Sequence, residues 1–290
     1  MQLSSPGSDP GVEWEIGPPS RVVPGRRAAM IGFRDHSGGF DLQVADIPAV
    51  TVAVEFGGGG LTVEGSGGRR ELNAFVAGCA SGAMRISGDL PAWVEVRLSP
   101  VQAYSLLGVA PGELGGAVVD LTDLWGARAA SLRERLAAAA TWERRFALTE
   151  AFLAGHADPA RAVDPEVAVS WQRIVTGRGQ VRIGELAEAC GWSRKRLWAR
   201  FDAQIGLTPK RAAMLVRFRH AVDGLVAGGS AADIAASCGY TDQSHLGRDM
   251  SSFVGVTPAT LTRKVLNPFS RRRHQAWGTI LLDRPQPAVR

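Results

Sequence analysis

Two short stretches hold the side chains best suited to chemistry. One is Ser193, Arg194, Lys195, Arg196, Trp198 and Arg200; the other is Thr241, Asp242, Gln243, Ser244, His245 and Arg248. Arg and Lys can read guanine edges, and a Gln carboxamide can pair with adenine. Trp198 matches no hydrogen-bond pattern well, but it can pack on sugars or thymine methyls.

Such side chains read a surface only when rigid elements present them, and the sequence supplies those elements twice. One copy runs Leu186-Ala187, Cys190-Gly191-Trp192-Ser193, Leu197, Phe201, Gly206 and Thr208-Pro209. The other runs Ile234-Ala235, Cys238-Gly239-Tyr240-Thr241, Leu246, Met250, Gly255 and Thr257-Pro258. The offset is 48 residues up to the aromatic after Gly and 49 from Leu197/Leu246 onward, so one residue is inserted near Thr241. Each copy has the grammar of two helices joined by a tight turn. Gly191 and Gly239 can take the positive φ that ends a first helix. Ser193 is a natural N-cap for the next helix, and Thr241 or Asp242 serves in the second copy. Leu197 with Phe201, and Leu246 with Met250, fall four apart on one buried stripe. The charged and amide-bearing positions are then left outside. Thr208-Pro209 and Thr257-Pro258 each open a further helix, Thr as cap and Pro at the first position. A helix from Pro209 to about Val226 joins the copies, and could set two reading helices about one DNA turn (~34 Å) apart.

These residues resemble the AraC/XylS-type transcriptional regulators over about 165–265. The likeness rests on Ile183, Leu186-Ala187, Cys190 to Ser193, Leu197, Phe201 and Gly206 to Pro209. Its most specific string is Ile234-Ala235, Cys238-Gly239-Tyr240, Gln243 to Leu246, Arg248-Asp249, Phe253 and Gly255 to Pro258. Met250 stands where an aromatic is usual and fills a similar core volume. Ala199 occupies a position that often carries a DNA-contacting side chain. The resemblance implies an all-α domain of two helix-turn-helix units that binds double-stranded DNA, controls transcription and contacts RNA polymerase. It also implies an N-terminal sensor or dimerisation half, whose expected partners are a small-molecule effector and a second copy of the chain. A weaker likeness to the β-rich N-terminal domain of some actinobacterial members rests on Arg21 to Pro24 and on Leu106 to Trp125.

The charge distribution fits that division. The chain has 290 residues and a net charge of +5. Residues 1–160 carry 13 Lys and Arg against 18 Asp and Glu, whereas 161–290 carry 20 against 10. A basic half is suited to a polyanion. In the acidic half, alternating runs at Val50–Phe56, Leu61–Glu64, Leu72–Val76, Ala83–Ile86 and Val94–Leu98 predict an antiparallel sandwich or barrel-like domain with accompanying helices. Pro100 opens a short helix, Thr122 caps one running to about Ala140, and Thr141 caps another. The expected fold class is therefore α+β: a β-rich regulatory or dimerisation domain over 1–155, a linker over 156–165, the double helix-turn-helix domain over 166–266, and a basic tail over 267–290. In that tail Arg271 to Arg273 form a basic run, and Trp277–Leu282 an apolar patch expected to pack back.

The sequence offers little for other classes. Only His36 and His156 lie in residues 1–160, far apart, so no metal site is expected. Cys79, Cys190 and Cys238 read as packing residues, too scattered for a disulfide framework. Gly57 to Gly60 lacks the Lys-Ser/Thr that follows in a phosphate loop. No catalytic residue and no cofactor is expected. Trp93 and Trp125 read as core, with a hydrophobic pocket as the alternative. No window approaches 18 consecutive apolar residues and no secretion signal is visible, so a cytoplasmic protein without membrane contact is expected. Two alternatives stay open: a DNA-binding protein whose N-terminal domain is a small-molecule enzyme or purely structural, and a basic binder without sequence preference.

Overall fold

The computed structural model describes residues 14–17, 29–36, 39–44, 47–65, 67–79, 82–89, 91–114, 116–158, 160–254, 257, 260, 274 and 281–283. The fold class is α+β. Ten strands come first: β1 (Trp14–Gly17), β2 (Ala29–Asp35), β3 (Phe40–Val44), β4 (Val50–Glu55), β5 (Leu61–Gly65), β6 (Gly68–Leu72), β7 (Ala74–Ala77), β8 (Met84–Gly88), β9 (Ala92–Leu98) and, after the first helix, β10 (Val118–Asp120). A final strand, β11 (Leu281–Asp283), follows the C-terminal helices. They make two antiparallel sheets, a six-stranded one ordered β1-β2-β9-β4-β7-β10 and a five-stranded one ordered β11-β3-β8-β5-β6. The sheets face each other as a sandwich and do not close into a barrel.

Strand period explains the layering. In β9, Trp93, Glu95 and Arg97 point toward the smaller sheet, while Val94, Val96 and Leu98 point away. The same division runs through β4, where Val50, Val52 and Val54 face helices and Ala53 faces the other sheet. The larger sheet is thus covered on both faces, which is why its strands are apolar almost throughout. Its outer cover is α1 (Pro100–Leu106), α2 (Leu121–Trp125), α3 (Ala127–Ala138) and α4 (Trp142–His156). Ser99 caps α1 and Thr141 caps α4, as their positions suggest.

Two local differences have simple causes. The helix expected from Thr122 to about Ala140 is two helices. Asp120 is the cap of the first, accepting from Thr122 N at 2.7 Å, and Gly126 (φ 54°) turns the chain before the second. The run Leu72–Val76 is also divided, between β6 and β7 in different sheets. Strands β2 and β3, absent from the sequence reading, are held by pairing to β9 and β8.

The C-terminal helices are α5 (Pro165–Thr176), α6 (Ile183–Ala189), α7 (Arg194–Ile205), α8 (Pro209–Val226), α9 (Ala231–Ser237) and α10 (Gln243–Val254). Their apolar residues join the cluster that covers the larger sheet, so one continuous core runs through both halves. Among the described residues no helix is long and apolar enough to cross a membrane. Arg21 to Arg27, Arg271 to Arg273 and Trp277 to Ile280 lie outside the described residues, as do Gly255, Val256 and Pro258.

Candidate nucleic-acid interface

The repeat folds as two helix pairs, α6–α7 and α9–α10. Gly191 and Gly239 take φ of +66° and +71°, the left-handed turn their positions suggested. Cys190 and Cys238 are the C-caps of the two leading helices. Ser193 caps α7, its hydroxyl accepting from Arg196 N at 3.2 Å, a contact typically contributing about 1 kcal/mol. Of the two candidates for the equivalent place, Asp242 makes the bond, its carboxylate accepting from His245 N at 2.7 Å. Leu197, Phe201, Leu246 and Met250 are all fully buried, so the apolar stripe of each second helix faces the core. The opposite faces are open. Ser193, Arg194, Lys195, Arg196, Trp198 and Arg200 are exposed, as are Thr241, Asp242, Gln243, Ser244 and Arg248, with His245 half-buried.

Several of these side chains are held before any partner arrives. Arg196 stacks on Trp192, its guanidinium carbon 4.3 Å from the ring centroid. Arg194 lies against Gly184 of α6. The His245 ring stands edge-on to Tyr240 at 5.1 Å. Trp198, by contrast, is 52% exposed, with no ring partner among the described residues. A large indole left in water suits packing against something outside the chain.

Two ion pairs anchor the reading helices from behind. Arg200 on α7 holds Asp164, just before α5, through two bonds of 2.7 and 2.9 Å. The Arg200 hydrogen bond also keeps the Asp164 carboxyl below the usual range. On α10, buried Asp249 pairs with Arg217 of α8 at 3.3 Å, and that guanidinium lies 4.3 Å over the Tyr240 ring. Arg200 and Asp249 are separated by 49 residues, the repeat offset, so the same helical position anchors both copies with opposite charge. Sequence reasoning missed Asp164 and Arg217; neither has a local pattern that marks its distant partner.

Residues 186–264 match a family model described as a helix-turn-helix domain. The C-terminal region carries a helix-turn-helix domain. Solved structures similar in fold include ToxT from Vibrio cholerae, 13% identical with a TM-score of 0.48, covering 82% of this chain and 98% of that one. The C-terminal domain of AraT, a response regulator from Geobacillus stearothermophilus, is 20% identical with a TM-score of 0.33, covering 35% and 86%. The AraC-like transcriptional activator CuxR is 14% identical with a TM-score of 0.31, covering 75% and 89%. No curated protein matches the chain.

Away from the helix-turn-helix domain, a cavity of about 50 Å³ opens between the two sheets, lined by Phe40, Leu42, Leu61, Phe75, Ile86, Trp93 and their neighbours. Trp93 therefore does face a pocket, whereas Trp125 packs in the core. Glu95 and Arg97 also line it, paired at 3.0 Å, with Glu95 only 5% exposed. The alternation Val94-Glu95-Val96-Arg97 reads from sequence as an ordinary wet face. The second sheet turns that face inward, which local pattern could not reveal. Among the described residues no group of three or more His, Cys, Asp or Glu could hold a metal ion.

Proposed function

We propose that this chain is a sequence-specific transcription regulator that reads two successive major grooves with α7 and α10, under control of its N-terminal half. One observation carries the reading: the two copies expose polar faces from capped helices at either end of α8. That helix has 18 residues, so it is roughly 27 Å long at 1.5 Å per residue. Added lateral offsets fit the ~34 Å repeat between successive grooves. Arg194, Lys195 and Arg196 then supply donors to the first groove, with Trp198 packing beside them. Gln243, Ser244 and Arg248 supply the second. Ser193, Thr241, Asp242 and His245 cap and stiffen the helix starts next to the duplex.

Control by the N-terminal half is supported by the inter-sheet cavity. At about 50 Å³ the chamber is well below the ~300–1,000 Å³ of ligand pockets, so the sheets must part to admit a small ligand with an apolar body and a polar group that meets Glu95 and Arg97. RNA polymerase and a second copy of the chain complete the proposed partners. The test is base preference. Gln243→Ala and Arg248→Ala should each relax discrimination at their own base positions by about 1–3 kcal/mol, measured by competition among single-base variants of the selected site. Unchanged preference in both variants would remove α10 as a reading helix.

A further inference from the structure

Both reading helices are gripped at their C-terminal ends by the N-terminal half, in two different ways. At α7 the grip is backbone on backbone. The turn Pro111–Leu114 lies so near that a methyl at Gly112 would fall 2.5 Å from the Ala203 carbonyl oxygen. Gly206, which ends α7, rests against the Pro111 carbonyl in turn. Such a contact leaves no slack. At α10 a side chain makes the contact: Gln43 Nε2 donates to the Val254 carbonyl at 2.9 Å. Val254 is the last residue of α10, where carbonyls have no partner inside the helix.

Gln43 belongs to β3, between Leu42 and Val44, both of which line the cavity. Alternation along the strand turns Gln43 to the opposite face. One strand therefore has the cavity on one side and the second reading helix on the other. The chain returns to this strand after α10, where Leu281–Asp283 pair with Leu42–Val44.

We propose that Gln43 is a positioning residue for DNA reading: it fixes α10 against the N-terminal sheet, so that β3 sets the separation at which the two reading helices meet the duplex. The inference rests on the two-groove reading above. Because α7 is locked by its backbone, the Gln43 bond is the adjustable point, and a shift of β3 is passed to α10 through it.

The test uses the full-length chain and three duplexes: the selected site, and the same site with one base pair added or removed between its halves. Wild type should lose about tenfold or more in affinity on either change of spacing. Gln43→Ala, and Gln43→Glu, which keeps the shape but removes the donor, should bind the original site within about threefold of wild type. Each should then lose less than about threefold on respacing. Gln43→Lys, which restores a donor, should recover the wild-type profile. A lost side-chain donor that merely weakened the fold would lower all three affinities together. Wild-type spacing dependence in both Ala and Glu variants would overturn the inference. A flat profile in the wild type itself would instead overturn the two-groove reading, and the inference with it.

Discussion

Arg200 illustrates how one side chain is shared between fold and ligand. It is half exposed on α7, yet its guanidinium is occupied by Asp164. An exposed pair of this kind stabilises by only about 0–1 kcal/mol, so a phosphate can compete for the same fork. Asp164→Asn should therefore free a cation. Binding should become steeper in salt, the slope of log affinity against log salt growing by about one, as read from titrations at several ionic strengths. An unchanged slope would mean that Arg200 never reaches the backbone. The pH sign follows from the depressed Asp164 carboxyl. Its contribution is present above the ordinary carboxylate range and is lost as pH falls through the depressed value, so the pair is intact at neutral pH and binding should not vary with pH there. Arg200→Ala should move the Asp164 titration upward toward the ordinary carboxylate value, observable by carboxyl NMR.

At the scale of elements, what could be read from sequence is what local chemistry decides. The caps Thr141, Ser193 and Thr208, the helix-opening Pro100, the turn glycines Gly191 and Gly239, and the stripes Leu197/Phe201 and Leu246/Met250 all act within a few residues of themselves. The break at Gly126 is also local, set by the Asp120 cap and a glycine at φ 54°, whereas the partition at Asn73 and the strands β2 and β3 depend on partners far along the chain, and no short window contains them. The buried face of Glu95 and Arg97 was hidden for the same reason. The turn glycines give a direct check. Gly191→Ala meets open space, so it should cost only the left-handed penalty of about 1–2 kcal/mol. Gly239→Ala should cost at least as much, because the added methyl falls 2.8 Å from the Gln180 side chain, which donates to Ser237 O. Chemical denaturation of both variants measures this; equal stability to wild type would exclude the strained turns.

At the scale of the molecule, the acidic and basic halves share one apolar core, and the N-terminal half touches both reading helices. DNA reading and the state of the sandwich are then mechanically linked, and a variant that disturbs the cavity should be felt at the duplex. Leu42→Ala, which removes a buried side chain from β3, should cost about 2–5 kcal/mol of stability and change spacing preference as well as affinity. The central claim, specific reading by two helices, is tested most directly by selecting random duplexes with the full-length chain at two salt concentrations. The account predicts enrichment of one motif whose halves lie about 10 base pairs apart and which survives the higher salt. Binding without enrichment that vanishes as salt rises would contradict it, and would leave a chain that grips phosphates alone.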